Sequence, residues 1–317
     1  MNRRNKLLLI IAMMWVSAAV AQPDIHVARF WGDRQAALSY TFDDGLLEHY
    51  TEVFPRLRQL GLKASFCIIG SKVGRDQKGT PCMTWQQLRE MAADGQEISS
   101  HGFRHQSMEK LTGEALCYEV QHNDTLIYHN VGVFPRTYFF PGNRKTDEGL
   151  AFTKRDRVGV REFQVSLGSK RDSLWVLNYV SRLLKKGEWG VTMTHGITTG
   201  YDAFADPQLL WSMLEQTAAM QERLWIATLH DVVAYVAERD TIQLKTSTDK
   251  HGVLNITPVM PLDQRIFHHP LTLFVKGRVR EVRQGGKILP LSQKGDEVLF
   301  DFDPHGGKLY FSVTLPH

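Results

Sequence analysis

The pattern of apolar and polar positions changes once along the chain. From about residue 37 to residue 240, short apolar runs alternate with longer stretches in which apolar residues recur every three or four positions. Short runs of this kind are typical of buried strands and the longer stretches of amphipathic helices. Strands are predicted over 37–42, 64–69, 97–100, 136–140, 158–163, 190–194 and 224–228, and helices over 47–60, 84–93, 112–129, 174–185 and 207–221. Such alternation predicts an α/β fold with a mostly parallel sheet, either a barrel or a doubly wound sheet.

After about residue 241 the apolar positions alternate with period two, which is typical of half-buried strands. Strands are predicted over 271–275, 298–302 and 308–315, and the last of them places Leu309, Phe311, Val313 and Leu315 on one face. The glycine pairs 285–286 and 306–307 are hairpin signals. We predict a small C-terminal all-β domain over 241–317, built as a sandwich and serving for packing and stability. Sugar binding is the alternative, although the sequence shows no clear platform of exposed aromatic residues.

The first 21 residues have the features of an export signal. Arg3, Arg4 and Lys6 precede an apolar run over 7–20, and Ala19-Val20-Ala21 forms a cleavage pattern with small residues at its two ends. The run is shorter than the roughly 20 apolar residues that a membrane-spanning helix needs. We therefore predict a cleaved signal over 1–21 and a periplasmic or extracellular protein with no stable membrane span. An uncleaved N-terminal anchor is the alternative.

Composition and charge narrow the possible partners. Without the three basic residues of the predicted signal, 35 Lys and Arg residues stand against 34 Asp and Glu residues. A nearly balanced chain lacks the basic surface that nucleic-acid binding requires, so we predict no nucleic-acid partner. The oligomeric state does not follow from the sequence. Export permits a disulfide between Cys82 and Cys117, whereas Cys67 lies in an apolar run and is predicted to be a buried thiol.

Two adjacent carboxylates follow the first predicted strand of the repeating region, in the segment Thr41-Phe42-Asp43-Asp44-Gly45. Like charges side by side raise one another's pKa unless a cation neutralises them. A bound metal would resolve the conflict, with one Asp as a ligand and the other free to act as a base. Without further support, Asp-Asp-Gly is more often an ordinary turn.

Three other segments fall at strand ends, where parallel α/β folds place their chemistry. His101 and His105 stand four residues apart and can converge on one metal, and with an Asp they complete a two-His, one-carboxylate set. Pro141-Gly142-Asn143 forms a turn that can present a backbone N–H. His195 ends a predicted strand and is a candidate acid or base. The stretch over 196–206, which contains Tyr201, is predicted to form part of the substrate rim.

In this order and spacing, the four segments resemble the polysaccharide deacetylase family, also called the NodB-homology domain or carbohydrate esterase family 4. The resemblance covers about residues 35–238. It implies a distorted (β/α) barrel of about seven parallel strands. It also implies Asp43 as catalytic base and His195 as general acid, with the N–H of Gly142 helping to hold the oxyanion. The metal ligands would be Asp44, His101 and His105.

The implied reaction is the metal-dependent removal of N-acetyl or O-acetyl groups from a polysaccharide or oligosaccharide. The implied cofactor is a divalent cation, with Zn²⁺ preferred and Co²⁺, Ni²⁺ or Mn²⁺ as alternatives. We assign the oxyanion and substrate contacts to Pro141, Gly142, Asn143 and Tyr201.

The chain departs from the family pattern at three points. Gly102 follows the first metal His, where the family usually has Ser or Thr. Phe139 stands where the family often has an Arg that contacts the base, so that Arg144 or Arg161 would have to supply the charge. The Asp-Trp motif is not evident, although Asp172 and Trp175 lie near its expected place. These departures leave open an alternative, a non-catalytic carbohydrate-binding protein on a degenerate deacetylase scaffold.

Overall fold

A computed structural model of the protein describes residues 24–250 and 253–314, and for positions 312 and 314 it describes the backbone alone. The predicted export signal lies outside these residues. Among the residues described, no helix is both long enough and apolar enough to cross a bilayer.

The strands and helices follow the predicted order. The strands are β1 Ile25–Val27, β2 Ala36–Phe42, β3 Ser65–Ile68, β4 Asp76–Gln77, β5 Thr80–Pro81, β6 Glu97–Ser100, β7 Thr137–Tyr138, β8 Gly159–Val160, β9 Val165–Ser166, β10 Trp189–Thr194, β11 Leu224–Ile226, β12 Gln243–Thr248, β13 Leu254–Val259, β14 Leu271–Lys276, β15 Arg278–Gln284, β16 Lys287–Ile288, β17 Ser292–Lys294, β18 Glu297–Phe302 and β19 Leu309–Thr314. The α-helices are α1 Phe54–Leu60, α2 Trp85–Ala93, α3 Gly113–Cys117, α4 Asn123–Val131, α5 Asp147–Thr153, α6 Ser173–Lys186, α7 Gln208–Ala218 and α8 Leu229–Thr241. Short 3-10 turns lie at Trp31–Asp33, Gly70–Lys72, Met108–Lys110 and Pro141–Asn143.

The central sheet is a parallel half-barrel. Seven strands follow the order β8-β7-β6-β3-β2-β10-β9, and β11 pairs with the first half of β2. This arrangement confirms the predicted distorted barrel of about seven parallel strands. All seven residues of β2 are buried. A strand covered on both faces reads as a continuous apolar run, which is why 37–42 is such a clear strand in the sequence.

Two helices contain π-helical turns where the sequence predicts uninterrupted helix. The turn His49–Val53 leads into α1, and the turn Tyr118–His122 joins α3 to α4. The predicted end of the first helix is confirmed, because Gly61 adopts the left-handed conformation that closes helix C-termini. The helix predicted over 84–93 begins with a capping box formed by Thr84 and Gln87.

The strands nearest the open edge of the half-barrel are shorter than predicted. The prediction over 136–140 reduces to β7 and that over 158–163 to β8, while the two-residue β9 has no counterpart in the predictions. The chain leaves β7 for a turn at Pro141 and Gly142, since proline lacks an N–H and Gly142 has a φ of 60°. Backbone hydrogen bonding at this edge therefore ends early and frees the following residues for the site.

The C-terminal region is a β-sandwich of two antiparallel sheets, ordered β1-β14-β18-β17 and β12-β13-β19-β15-β16. The all-β prediction is confirmed, and so is the hairpin at Gly285-Gly286, which joins β15 to β16. The prediction of a hairpin at Gly306-Gly307 is wrong, because β18 and β19, the strands on either side of these glycines, belong to different sheets. Leu315 lies outside the described residues.

The sandwich and the half-barrel share one apolar core. Leu273, Phe300 and Phe302 of the sandwich form a buried cluster with Trp225 and Tyr235 of the barrel region. The strand β1, from the beginning of the described chain, pairs with β14 and closes one sheet of the sandwich. Residues on both sides of position 240 therefore depend on each other for burial.

Candidate active site

The carboxyl ends of the parallel strands meet at a cavity of about 450 Å³. Among its lining residues are eight of the nine predicted site residues, and these are Asp43, Asp44, His101, His105, Gly142, Asn143, His195 and Tyr201. Pro141 is buried directly beside the lining glycine. The structure thus brings together all four sequence segments, because parallel strands end at the same edge of the sheet.

The two adjacent carboxylates at the end of β2 have separate partners. Asp44 has a φ of 73° and Gly45 a φ of 71°, so the chain turns through two left-handed residues directly after Asp43. Positive φ is uncommon in non-glycine residues and concentrates at functional sites. The Asp44 carboxylate lies beside His101 and His105, whereas the Asp43 carboxylate is bound by Arg161.

Asp44, His101 and His105 form a compact group of ligand atoms. Asp44 Oδ1 lies 3.5 Å from His101 Nε2 and 3.6 Å from His105 Nε2, and the two Nε2 atoms are 3.1 Å apart. A tetrahedral site with metal–ligand bonds of about 2.0–2.1 Å has neighbouring ligand atoms about 3.3 Å apart. The triangle therefore has the size that one Zn²⁺-like ion requires.

Two further observations support a metal in this position. Asp44 Oδ1 is buried and has no hydrogen-bond partner, and a buried carboxylate oxygen without a partner is costly. His101 Nδ1 donates to the backbone oxygen of Phe139 at 2.7 Å, which leaves Nε2 as a lone-pair donor facing the triangle. Burial lowers the pKa of His101 to about 4, so this nitrogen is unprotonated near neutral pH. These residues fit a divalent cation.

A second set of close ligand atoms comes from Asp43, Cys67 and His101. Asp43 is already bound by Arg161, and burial raises the pKa of the Cys67 thiol well above its usual value. A protonated thiol is a poor ligand. The set with two histidines and Asp44 is therefore the better site. Cys82 and Cys117 are free, like Cys67, so the disulfide that export would permit is not formed.

Arg161 supplies the charge beside Asp43, in place of the residue at position 139. It follows β8, and its two terminal nitrogens donate to the two carboxylate oxygens of Asp43 at 2.6 Å each. One of them also donates to Thr41 Oγ1 at 2.8 Å. The ring of Phe139 lies under the guanidinium of Arg161, with 4.4 Å between the ring centre and the guanidinium carbon. The aromatic ring therefore supports the arginine that supplies the charge. Arg144, the other candidate, is exposed and instead approaches Glu109.

The pairing with Arg161 keeps the side chain of Asp43 ionised. Burial alone would raise the pKa of Asp43, but the charge of Arg161 and its hydrogen bonds outweigh burial and hold the pKa well below its usual range. Asp43 is therefore a carboxylate at every pH near neutral. It is held rigidly by two parallel N–H···O bonds, the strongest geometry for an arginine–carboxylate pair.

His195 lines the same cavity as the metal triangle. Its Nε2 is 3.9 Å from Asp43 Oδ2, and its ring packs edge-on against Tyr201 with centroids 5.0 Å apart. Tyr201 is 73% exposed at the cavity mouth, where a large substrate would meet it. Asp172 and Trp175, the nearest match to the missing Asp-Trp motif, instead form the start of α6, where Asp172 accepts the N–H of Trp175.

A buried glutamate that no sequence motif marks lies against Gly102. Glu119 belongs to the π turn Tyr118–His122, and its Oε1 accepts the N–H groups of Arg104 at 2.8 Å and Gln106 at 3.1 Å. A Cβ atom on Gly102 would lie 2.6 Å from this same oxygen. The carboxylate thus occupies the space of the usual hydroxyl and holds the loop that carries both histidines.

Comparison with known proteins agrees with this geometry. Residues 32–158 match the family model for polysaccharide deacetylase. The Bacillus subtilis protein YxkH, provisionally described as a polysaccharide deacetylase, is 36% identical over 72 residues, which cover 23% of this chain and 24% of that protein. A gellan lyase from a Bacillus species is 24% identical over 336 aligned residues, covering 92% of this chain and 13% of that protein. The chain therefore spans about a quarter or less of the length of these relatives.

Among solved structures, a family 4 acetyl xylan esterase from Clostridium thermocellum in complex with a cobalt ion has 18% identity and a TM-score of 0.46, covering 61% of this chain and 88% of that one. The Xyl-CE4 domain of a multidomain xylanase from the hindgut metagenome of Trinervitermes trinervoides has 20% identity and a TM-score of 0.45, covering 61% and 87%. Both TM-scores lie below 0.5, so the fold assignment rests on the strand order alone.

The fold and the site define a parallel half-barrel protein with a two-His, one-Asp set at the carboxyl ends of its strands. Residues 32–158 match the polysaccharide deacetylase model, and this match agrees with the resemblance of the motifs. Arg161, His195 and Tyr201 lie beyond the matched segment.

The Gly102–Glu119 contact predicts a defect in metal binding. Gly102→Ser should weaken cation binding by about tenfold or more, because the side chain meets Glu119 and displaces the histidine loop. Isothermal titration of the metal-free protein with Zn²⁺ measures the effect. Gly113→Ser is the control, since Gly113 also has a positive φ but has nothing within 4 Å of its Cβ position. Equal Zn²⁺ affinity in both variants would contradict the prediction.

The Asp43–Arg161 pair predicts a defect separate from stability. Arg161→Met should lower turnover by about 10²-fold or more, since Asp43 loses both bonds that orient it. Arg161→Lys should recover only part of the rate, because lysine cannot form the bidentate contact. Arg157→Met is the matched control: Arg157 is also buried and paired, with Asp124 at 2.5 Å, but outside the cavity. Acetate release at equal folded protein, judged by circular dichroism, tests this. Similar losses in the Arg157 and Arg161 variants would show that only stability had changed.

Proposed function

We propose that the protein is a metal-dependent deacetylase that hydrolyses N-acetyl or O-acetyl groups of a polysaccharide or oligosaccharide. The observation that carries this proposal is the arrangement of three parts around one cavity. The triangle of Asp44, His101 and His105 lies beside the arginine-held carboxylate of Asp43, and His195 stands 3.9 Å from that carboxylate. Hydrolysis of an acetyl group needs these three parts, namely an electrophile, a base and an acid.

A divalent cation held by Asp44, His101 and His105, with Zn²⁺ as the first candidate, would polarise the acetyl carbonyl and lower the pKa of a water molecule. Asp43 takes a proton from the attacking water, because it is ionised and lies beside the triangle. His195, in its protonated form, gives a proton to the departing amine nitrogen or alcohol oxygen of the sugar. Each group acts on one side of the reacting carbon.

The turn Pro141–Asn143 faces the place where the oxyanion develops. Gly142 and Asn143 line the cavity, and Asn143 and Arg144 use their N–H groups on Phe140 and Pro141 within the turn. We assign the N–H of Gly142 to the oxyanion, and Asn143 and Tyr201 to substrate contacts. A fixed donor of this kind stabilises the tetrahedral intermediate more than the substrate.

The proposed substrate class is based on the open mouth of the cavity. The cavity holds about 450 Å³ and is bordered by the exposed ring of Tyr201, so a single acetylated residue of a chain can enter while the chain lies across the mouth. The predicted export signal is consistent with substrates outside the cytoplasm. The Arg161–Asp43 pair removes one of the two reasons for the non-catalytic alternative, the phenylalanine at position 139, while the Asp-Trp motif is still missing.

Acetate release by pure protein tests the proposal. The screen would use chitin oligomers, peptidoglycan, poly-N-acetylglucosamine and acetylated xylan. A chelator should abolish release, and added Zn²⁺ should restore it. Asp43→Asn should lower turnover by about 10²- to 10⁴-fold while the cation stays bound, since Asp43 is not in the triangle. No acetate from any substrate, or release that is insensitive to the chelator, would overturn the proposal.

A further inference from the structure

Glu48 and His49, which follow the Asp-Asp-Gly turn, both contact the segment that carries His195. His49 is fully buried at the start of the π turn His49–Val53, and its Nε2 lies 2.7 Å from the backbone oxygen of His195. A carbonyl oxygen only accepts, so Nε2 carries the proton and donates. Burial lowers the pKa of His49 to about 4, so the ring is neutral and holds this one tautomer.

Glu48 binds residues 197–199 of the same segment. One of its oxygens accepts the N–H groups of Ile197 at 2.8 Å, Thr198 at 3.1 Å and Thr199 at 3.4 Å. Its other oxygen accepts the hydroxyls of Thr198 and Thr199. Burial alone would raise the pKa of Glu48, but these hydrogen bonds outweigh it and lower the pKa, so the carboxylate is ionised.

The contacts form a continuous series. The N–H of Asp43 donates to Thr194 at 2.8 Å, His49 binds the oxygen of His195, and Glu48 binds the N–H groups that follow. The segment 43–49 therefore carries the proposed base and one proposed metal ligand, and it also holds the backbone of His195. The ring of His195 receives less direct support, since its Nδ1 is buried without a partner.

We propose that Glu48 and His49 are positioning residues that set the location of the His195 imidazole relative to Asp43. The proposal rests on the proposed function for its kinetic consequence but not for its structural one. With the backbone on both sides of the Cα of His195 fixed, its side chain is directed into the cavity. A displacement of about 1 Å at this point can cost about 10²-fold in rate.

Variants separate positioning from folding. Glu48→Ala and His49→Phe should each lower kcat by about tenfold or more with KM changed less than twofold, because substrate contacts are kept. His49→Gln should recover part of the rate, since its side-chain N–H can replace Nε2. Bound Zn²⁺ should stay at wild-type stoichiometry. Glu52→Ala, an exposed change in the same π turn, is the control and should match wild type.

Hydrogen exchange gives a readout that does not need the proposed reaction. In Glu48→Ala, the amides of residues 197–199 should lose protection, while peptides of β2 and β10 keep theirs. If wild-type protein releases no acetate from any substrate but this loss occurs, the proposed function fails and the positioning contact stands. Wild-type exchange at 197–199, or unchanged kcat in both Glu48→Ala and His49→Phe, would overturn the inference.

A separate observation concerns a groove beside β15 in the sandwich. The groove has a volume of about 880 Å³ and is lined by the polar residues Arg278, Arg280, Glu281, Arg283, Gln293 and Tyr310 together with the apolar Val253, Val279 and Phe311. A register shift between Val279 and Val282 turns both intervening residues outward. Arg283 pairs with Glu281 at 2.5 Å and lies opposite Tyr310 on β19, whose ring is 45% exposed.

We infer that this groove binds an anionic polysaccharide. Three arginines against one glutamate leave a net positive lining, and the planar guanidinium fork matches a carboxylate in two-point contacts. An exposed tyrosine beside them offers an apolar face to a sugar ring. The groove is recessed, and most of the side chains that line it are charged or polar, which favours a polymer chain over a membrane.

Binding measurements on the intact protein test this second inference. Polygalacturonate should bind and neutral dextran should not, with affinity that falls as salt rises. Arg278→Ala/Arg280→Ala and Tyr310→Ala should each weaken binding by about tenfold. Lys185→Ala/Lys186→Ala removes the same charge from α6 and should have little effect. Absence of binding to polygalacturonate, equal losses in the control, or stronger binding to phosphatidylglycerol vesicles would overturn it.

Discussion

Two adjacent buried carboxylates are the constraint on which the catalytic end of this molecule depends. Asp43 and Asp44 are 2% and 8% exposed, and two such charges cannot share one buried environment without neutralisation. The chain resolves the conflict by turning left-handed at Asp44, which sends the two side chains to different partners. Arg161 neutralises one, and the histidine triangle provides a place for a cation at the other. The proposed roles of Asp43 as base and Asp44 as metal ligand follow from this separation.

Support for the site comes from two helices with the same irregularity. One π turn precedes α1 and the other joins α3 to α4, and each directs a buried polar residue onto a loop: His49 onto the His195 segment and Glu119 onto the histidine loop. A π turn adds one residue to a helical turn and changes the direction of the side chains that follow, and such turns are frequent at functional sites. The regular helices hold the fold, and these turns adjust it to the chemistry.

The sequence was sufficient for the parts of the site that are local. Asp43 with Asp44 and His101 with His105 are short motifs, and His195 ends an evident strand, so pattern and resemblance located them. Arg161 could only be named as one of two candidates, because it is 118 positions from the aspartate that it binds. Glu48 and Glu119 gave no signal, since they act on backbone N–H groups and their partners leave no trace in residue type.

The same distinction applies to the fold. The strand β2, buried along its whole length, was predicted almost to the residue, whereas β12 was missed because its side chains are largely exposed. The two-residue strands β8 and β9 are set by how far the half-barrel edges extend, and this is a property of the assembled sheet. Likewise the two glycines at 306–307 signal a turn, but nothing local reveals that the chain there passes from one sheet to the other.

The pairing of β1 with β14 places the beginning of the described chain in the sandwich. The first and the last described strands both lie in the sandwich, which packs against the amino end of β2 through Ala37, Trp225 and Ala227. The catalytic residues follow the carboxyl end of that strand, about 20 Å away for seven extended residues. A molecule tethered through either of those strands would therefore turn its reactive end away from the point of attachment.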